Sequence, residues 1–363
     1  LVRPEGCLLS QGVAAQVKAL AVLTLRNEAS FLLEWLAHHR AVGFTDFLVL
    51  SNDCDDGTDR MLDRLEALGL LTHLRNDGPY DKGGIQFTGL KLASKHKLAR
   101  NADWILALDI DEFVNIHIGD HTLPALFAAL PQASAITLTW RLFGNADQVH
   151  YQDTPVTRQF TRAAPVAMTW PWRAAMFKTL YKNDGTYGKI GVHRPRQPDK
   201  DRLPASRWFD GEGRELDEQF KTRRIFSNYG RSNYALVQLN HYALGSMEAF
   251  LVKADRGRAV HSDQMLDVDY WVERNYNTDE DTSILALTTA FEAELAALHA
   301  DENLLKLHKK AVAWRQKRFS QLLELEPYRA LFGRLLQTPP SRPVPQALAN
   351  LMIRHAFKSH QAE

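Results

Sequence analysis

The chain has 363 residues, 45% hydrophobic and 24% charged, which is the composition of a globular protein with a sizeable core. Its 44 Lys and Arg against 43 Asp and Glu give no overall support for a nucleic-acid partner. Two cysteines, Cys7 and Cys54, exclude a disulfide scaffold. No apolar run reaches the ~18 residues of a membrane span, and no leader-like segment opens the chain, so we expect a cytoplasmic protein.

The first hundred residues alternate between strand patterns and helix patterns. Strands are predicted at 17–25, 47–50 and 70–74, helices at 28–40, 58–68 and 86–100, and a further strand before Asp109. Such repeats predict a parallel sheet flanked by helices, in which ligands bind beyond the carboxyl ends of the strands. Polar clusters follow three of these strands, at 27–28, 53–56 and 109–112. The sequence therefore predicts a site along one rim of the sheet.

Asp109 and Asp111 follow the apolar run 104–108 directly. In an extended segment residues i and i+2 point to the same side, so both carboxylates can converge on one point. They repel each other unless a cation lies between them, and such oxygen ligands suit Mg²⁺ or Mn²⁺, which bind diphosphates. Strand-end carboxylates also serve as caps or salt-bridge partners. A second enzymatic interpretation is a haloacid-dehalogenase-like phosphatase with Asp109 as nucleophile, although Phe113 follows where such motifs usually have Thr or Val.

The second half of the chain is less regular. Strands are predicted at 135–140 and 234–242, a β-pair from 177–181 and 189–193, a loop over 195–233, and a helix capped by Ser246. From residue 281 the pattern is helical, broken by Pro327 and by 338–343. Residues 301–363 hold 11 Lys and Arg against 5 Asp and Glu, a net charge of +6.

This basic, aromatic tail has two interpretations. It is a solvated helical face, or it holds the protein peripherally against an anionic inner membrane surface. The second interpretation includes a non-catalytic protein that binds membrane surfaces.

Several single residues have both a structural and a functional interpretation. Asn27, Glu28 and Asn52 are typical helix caps and turn formers, and Asp53 can accept hydrogen bonds from a base or ribose. His193 and His241 each end a short apolar run, where a lone histidine is more often structural than a metal ligand. The cations that could neutralise phosphates, each also explicable as a solvated charge, are Lys178, Arg194, Lys253 and Arg256.

Ordered sequence blocks carry a family resemblance. They lie at 25–28, 33–35, 51–58, 108–113, 140–144, 177–179, 191–195, 239–246 and 253–257. Together they resemble bacterial members of the family-2-like GT-A glycosyltransferases, close to family 92, over roughly residues 18–280. The resemblance implies a GT-A (Rossmann-like) α/β fold with a mostly parallel central sheet. It gives a transferase domain at 1–280 and a helical, basic extension at 281–363.

The resemblance also implies a function and a site. It implies a metal-dependent transfer of a sugar, with a UDP-sugar favoured as donor, to a glycan, lipid or small glycoside acceptor. Mn²⁺ or Mg²⁺ is expected at Asp109, Asp111 and His241. The residues expected to bind the nucleotide sugar are Arg26, Asn27, Glu28, Asn52, Asp53, Gln86, Asp109, Ile110 and Lys178.

Family 92 members invert at the anomeric carbon, which requires a base within hydrogen-bond reach of the acceptor hydroxyl. Asp210 is our candidate base, with Glu112 and Glu248 as alternatives, and His193 is a second catalytic candidate. The segment 80–86, with two glycines, is expected to be a mobile loop that closes over the donor.

Overall fold

The structure is a computed structural model that describes residues 17–80, 83–257 and 266–359. Its strands are β1 (Ala19–Leu25), β2 (Asp46–Ser51), β3 (Thr72–Arg75), β4 (Trp104–Leu108), β5 (Glu112–Ile116), β6 (Ala135–Leu142), β7 (Arg162–Ala163), β8 (Phe177–Lys182), β9 (Tyr187–Lys189), β10 (Arg196–Pro198), β11 (Trp208–Asp210), β12 (Val237–His241) and β13 (Asp279–Glu280).

The α-helices lie between and after these strands. They are α1 (Ala29–Val42), α2 (Thr58–Ala67), α3 (Ile85–Lys95), α4 (Lys97–Asn101), α5 (Leu123–Ala129), α6 (Val156–Gln159), α7 (Glu218–Thr222), α8 (Met247–Arg256), α9 (Val268–Val272), α10 (Thr288–His299), α11 (Glu302–Leu323), α12 (Glu326–Gln337) and α13 (Gln346–Ser359). Short 3₁₀ turns occur at Trp172–Ala175, Leu203–Ala205 and Ser283–Leu287.

A mixed central sheet organises the molecule, with the strand order β3-β2-β1-β4-β8-β6-β12-β5. The first four strands run parallel, β8 is antiparallel to both β4 and β6, and β12 is parallel to β6. β11 pairs with the first residues of β6. The strand order reverses between β1 and β4, which is the place where open α/β sheets bind ligands.

Both faces of the parallel strands are buried. In β1, alternate residues such as Ala21 and Leu23 belong to the core under α1, while Leu20 and Val22 belong to the core on the opposite face with α3. This burial on both faces explains why β1 is an uninterrupted apolar run. Helix α1 ends at Gly43, whose φ of +105° is the left-handed conformation typical of a helix C-terminus.

Three predicted local structures differ from those observed. The helix predicted at 86–100 is divided at His96, whose extended backbone ends α3 and whose Nδ1 accepts a hydrogen bond from the Leu98 amide to begin α4. The predicted β-pair is wrong, because β8 pairs with β4 and β6 while β9 pairs with β10. The predicted loop 195–233 contains β11, which joins the central sheet.

The C-terminal helices pack closely onto the sheet-bearing part of the chain. Phe291 and Leu298 of α10, with Leu304 of α11, lie in the same core as α1. Helices α8, α9, α11 and α12 enclose a separate apolar cluster. Pro327 begins α12 at its first turn, as proline is tolerated there, rather than interrupting a helix. Among the described residues, no helix has both the length and the apolar character needed to cross a membrane.

This architecture confirms the predicted GT-A-type α/β fold with a helical C-terminal segment. The order β3-β2-β1-β4 is that of the first half of a Rossmann-like sheet. Within the predicted loop 80–86, residues 81–82 lie outside the described residues, and Gln86 belongs to α3. Cys7 also lies outside them.

Candidate active site

A cavity of about 420 Å³ opens at the carboxyl ends of β1, β4 and β12, on the rim predicted from the sequence. Its volume lies within the range of small-molecule sites. Strand ends supply Arg26, Asn52 and His241, and helix α8 closes the opposite side with Lys253 and Arg256. Residues from the ends of the strands and from helix α8 therefore meet at the place where the strand order of the sheet reverses.

The two aspartates reach this cavity from a tight turn. The Glu112 amide donates to the Asp109 carbonyl over 3.1 Å, so residues 109–112 reverse the chain between β4 and β5. The extended geometry expected from the sequence is therefore wrong. Asp109 and Asp111 nevertheless both line the cavity.

Asp109 is held from the sheet side. Its carboxylate accepts hydrogen bonds from Lys178 Nζ at 2.8 Å and from Gln86 Nε2 at 3.0 Å. Lys178 also lies 3.4 Å from Glu112, and both side chains are buried. Burial would lower the pKa of Lys178, but Asp109 and Glu112 raise it, so the ammonium stays charged. Lys178 therefore lies beneath the site as a counterion and does not line the cavity.

Asp111 is held from the helix side. Its Oδ2 accepts from Lys253 Nζ at 2.6 Å and lies 3.6 Å from His241 Nε2. Burial would raise the pKa of Asp111, but Lys253 and His241 hold it well below its ordinary value. Burial lowers the pKa of His241, which favours the neutral imidazole that a metal requires.

The donors for a divalent ion are few but chemically suitable. No group of three His, Cys, Asp or Glu side chains within 17–80, 83–257 and 266–359 is arranged to hold a metal by itself. Asp111 and His241 offer one carboxylate and one imidazole side by side, a donor pair that suits Mn²⁺. Such ions often take one or two protein ligands and complete their shell with substrate phosphates and water. The pair fits an ion that binds together with a diphosphate.

Among the residues that the structure describes, basic side chains outnumber acidic ones at the cavity. The carboxylates are Asp109 and Asp111, and the cations are Arg26, Arg173, Lys253, Arg256 and Arg274. Arg274 stacks on the Tyr270 ring, with 3.7 Å between guanidinium carbon and ring centroid. Four of these cations also pair with carboxylates: Lys253 with Asp111, Arg256 with Glu28, and Arg173 and Arg274 with Glu273. Because Glu28 and Glu273 do not line the cavity, the cations that face it favour an anionic ligand.

Eight residues predicted for the site do line the cavity, and they come from six different segments. They are Arg26, Asn52, Gln86, Asp109, Ile110, Asp111, His193 and His241. His193 Nδ1 donates to the Phe177 carbonyl over 3.0 Å, which leaves Nε2 as an acceptor. Burial lowers the pKa of His193 to about 4, so the ring is neutral at physiological pH.

Other predicted residues have different positions. Asn27 and Asp53 adopt positive φ in the turns after β1 and β2, where Asp53 accepts from Tyr80 and Asn27 accepts from the Asp55 amide. Glu28 lies behind the cavity between two arginines, Arg256 and Arg315.

The structure corrects the position of the candidate base. Asp210 is 1% exposed, and it accepts from the Glu212 amide and from the Arg214 amide and Nε. It pairs with the beginning of β6, at Thr137, and lines neither of the two cavities described here. The physical reason is that its carboxylate caps the turn after β11, which the sequence had suggested only as an open loop. Of the alternatives, Glu112 is fully buried, and Glu248 binds His150 and the Tyr151 amide.

Sequence reasoning missed Arg173, Tyr270 and Arg274 as cavity residues. Arg173 lies in the segment 170–173, where two tryptophans flank a proline beside an arginine, a pattern that could have drawn attention to it. Arg274 follows α9 and carries no local signal.

Two plant proteins are similar in sequence to part of this chain. It is 23% identical over 142 residues to a glycosyltransferase family 92 protein of Oryza sativa subsp. japonica, covering 38% of this chain and 23% of the relative. It is 28% identical over 124 residues to a family 92 protein of Ricinus communis, covering 31% and 20%. The matches span less than a quarter of the length of these relatives.

Solved structures show more distant likenesses. A mannosyltransferase from Pyrobaculum calidifontis in complex with GDP-Man and Mn²⁺ is 14% identical, covers 88% of this chain and 84% of its own, and has a TM-score of 0.31. Staphylococcus aureus TarS 1–349 in complex with UDP-GlcNAc is 14% identical, covers 77% and 73%, and has a TM-score of 0.33. At these scores the likeness carries no conclusion about ligands.

The sequence family is decided by a match that covers most of the central sheet. The family description "Glycosyltransferase family 92" matches residues 20–209, which extend from the second residue of β1 to the second residue of β11 and include the turn with Asp109 and Asp111, whereas β12 lies outside them. This segment is more than half of the chain. The chain therefore belongs to glycosyltransferase family 92.

Proposed function

We propose that this protein transfers a sugar from a nucleotide-sugar donor to a hydroxyl acceptor. The observation that carries the proposal is the cavity over the β1/β4 reversal point, where Asp109 and Asp111 meet an excess of arginine and lysine. A nucleoside diphosphate matches this site in size and charge. Family 92 membership supports sugar transfer over the phosphatase alternative.

Within this proposal the donor lies across the strand ends. Arg26 and Asn52, after β1 and β2, are placed to contact the nucleoside, with a UDP-sugar as the favoured donor. Lys253, Arg256 and Arg274 face the diphosphate. The hydrogen bonds from Lys178 and Gln86 fix the Asp109 carboxylate, which can then accept from a donor hydroxyl.

Asp111 and His241 would hold a divalent ion, which would supply a Lewis acid that offsets charge on the leaving diphosphate. Lys253 occupies the same Asp111 oxygen, so its ammonium must share that oxygen or turn toward the phosphates. Two positive groups beside one leaving diphosphate both favour its departure.

The acceptor side of the reaction falls to His193 in this proposal. With Asp210 turned to Arg214, His193 is the catalytic candidate that lines the cavity. Its low pKa makes the ring a weak base, but its fixed tautomer presents Nε2 as a hydrogen-bond acceptor. We assign it the role of orienting the acceptor hydroxyl.

The C-terminal helices are the part of the chain for which we propose peripheral contact with a membrane surface. Several cations of the C-terminal helices are engaged in ion pairs within the chain. These pairs are Arg315 with Glu28, Arg318 with Asp255, Arg329 with Glu326, and Lys306 with Glu302.

The proposed function is tested by measuring nucleotide binding and donor hydrolysis in the unsubstituted protein and in the variant Asp111→Asn. Uridine, guanosine, adenosine and cytidine diphosphates are screened with and without Mn²⁺ by thermal unfolding. A matched nucleotide at 100 times its Kd should add about 2.7 kcal/mol to the free energy of unfolding. Asp111→Asn should lose the Mn²⁺-dependent part of this gain and abolish donor hydrolysis.

Asp153→Asn is the matched control, because Asp153 is exposed and pairs with His308 away from the cavity. It should behave as the unsubstituted protein. The proposal fails if no nucleoside diphosphate stabilises the protein, or if Asp111→Asn turns over a donor at the full rate.

A further inference from the structure

Helix α11, in the C-terminal segment, carries an arginine, Arg315, that lies behind the large cavity. Arg315 is 4% exposed and lies outside the segment that defines the family match. Its guanidinium donates to Glu28 Oε2 at 3.0 Å, to Ser30 Oγ at 3.1 Å and to the Ala249 carbonyl at 3.4 Å. The Phe31 ring covers one face, 4.5 Å from the guanidinium carbon.

Glu28 connects this arginine to the cavity. Its second oxygen binds Arg256 of α8, and Arg256 also donates to the Arg26 carbonyl over 3.0 Å. Both Arg256 and Arg26 line the large cavity, whereas Arg315 does not. One buried carboxylate is thus shared by two guanidinium groups, one facing the cavity and one behind it.

A second, smaller cavity brings Arg315 to the same space as Asp111. It measures about 50 Å³, and Glu28, Asp111, Lys253 and Arg315 all line it. Partly buried charges around one small cavity are weakly screened from each other, so we expect a change of charge at Arg315 to alter the potential at Asp111 and Lys253.

We propose that Arg315 is a positioning residue for donor binding. It takes up part of the charge of Glu28, so that Arg256 keeps its positive potential and its orientation toward the diphosphate. The C-terminal helical segment is then part of the donor site although none of its described residues, 281–359, lines the large cavity. This inference rests on the proposed function.

Without Arg315, the whole charge of Glu28 falls on Arg256 and the surplus negative charge lies near the phosphates. Arg315→Gln should therefore weaken binding of the best nucleoside diphosphate about 10-fold, measured by isothermal titration calorimetry. The double variant Glu28→Gln with Arg315→Gln removes both charges and should bring the Kd back to within about 3-fold of the original. A purely structural Arg315 predicts the opposite, because the double variant loses more hydrogen bonds than the single one.

Arg315→Lys separates charge from packing. It keeps the positive charge but loses the planar fork, so stability should fall while the Kd changes by less than about 3-fold. Arg334→Gln, at an exposed position of α12, is the matched control and should leave the Kd unchanged.

Each result has one meaning. If the unsubstituted protein binds no nucleoside diphosphate, the proposed function fails and this inference fails with it. If it binds one and Arg315→Gln binds it equally well, only the inference is overturned. If Arg315→Gln does not fold, the comparison of Arg315→Lys with the double variant decides, and a double variant that binds 10-fold or more weakly than the original overturns the inference.

Discussion

The two aspartates of one turn illustrate two ways of holding a carboxylate. On the sheet side, Asp109 pairs with Lys178, whose side chain is 1% exposed and which also faces the fully buried Glu112. On the helix side, Asp111 pairs with Lys253, and these side chains are 19% and 15% exposed. In the first pair only Lys178 is sealed within the strands, since the Asp109 side chain is 33% exposed at the cavity, whereas both members of the second pair are partly exposed there.

Because of this difference, we expect one pair to affect the stability of the fold and the other to affect ligand binding. A sealed charge cannot exchange its partner for water, so removing its counterion costs stability. A partly open pair can exchange its partner for a ligand, so its energy is available for recognition. We therefore expect substitutions on the sheet side to affect unfolding and those on the helix side to affect nucleotide affinity.

The largest effect is expected from Lys178→Met. Methionine keeps an unbranched apolar side chain, one heavy atom shorter than lysine, but leaves Asp109 and Glu112 without their shared ammonium group. The free energy of unfolding should fall by about 3–5 kcal/mol, measured by urea denaturation.

Lys182→Met, on the same strand, is the control for this change. Lys182 is half-buried over the Trp104 ring, with 5.4 Å between Nζ and the ring centroid, so its loss should cost no more than about 1 kcal/mol. Equal losses in the two variants would show that the sheet-side pair has no special structural role.

Local patterns in the sequence were sufficient to predict individual elements on both sides. The strand before Asp109 and the helix capped by Ser246 are confirmed, because burial and capping act over a few residues. Asp109 and Asp111 both line the cavity, but from a turn and not from the extended segment that the sequence predicted. The turn depends on a backbone hydrogen bond that the i, i+2 spacing does not encode.

The helix-side half depends on contacts between distant parts of the chain. Arg315 is 287 positions from Glu28, and no local periodicity announces such a pair. Asp210 shows the converse error, since a polar turn suggested a catalytic carboxylate where Arg214, four residues away, neutralises it. Sequence spacing cannot distinguish a free carboxylate from one already paired.

A second prediction concerns how the stability of the fold changes at acidic pH. His38 of α1 donates from Nε2 to the Val114 carbonyl of β5 over 2.7 Å, and burial lowers its pKa to about 4 from an ordinary 6.5. Between these pH values, His38 binds a proton in the unfolded chain but stays neutral in the folded protein. The free energy of unfolding should therefore fall as the pH falls from 6.5 to 4, by about 3 kcal/mol for this group.

His38→Gln keeps a donor for the Val114 carbonyl but does not titrate. The slope of the free energy of unfolding against pH should therefore decrease by the equivalent of about one proton. His150→Gln, at a site where the side chain is 80% exposed, should leave the slope unchanged. Chemical denaturation at several pH values between 4 and 7 measures both. Parallel curves for His38→Gln and the unsubstituted protein would contradict the assignment.

The smallest effect tests whether the helix side depends on charge at Glu28 or simply on how firmly α8 is held. Arg318 of α11 binds Asp255 of α8 through two hydrogen bonds of 2.8 Å, but its side chain is 35% exposed. Arg318→Gln should cost about 0.5–1 kcal/mol of stability. Because Asp255 does not line the cavity, the nucleotide Kd should change less than about 3-fold, measured by calorimetry beside Arg315→Gln. Arg329→Gln, which breaks an exposed pair with Glu326, controls for the loss of one surface charge. A loss of affinity as large as that of Arg315→Gln would show that anchoring of α8, and not charge sharing at Glu28, sets the strength of donor binding.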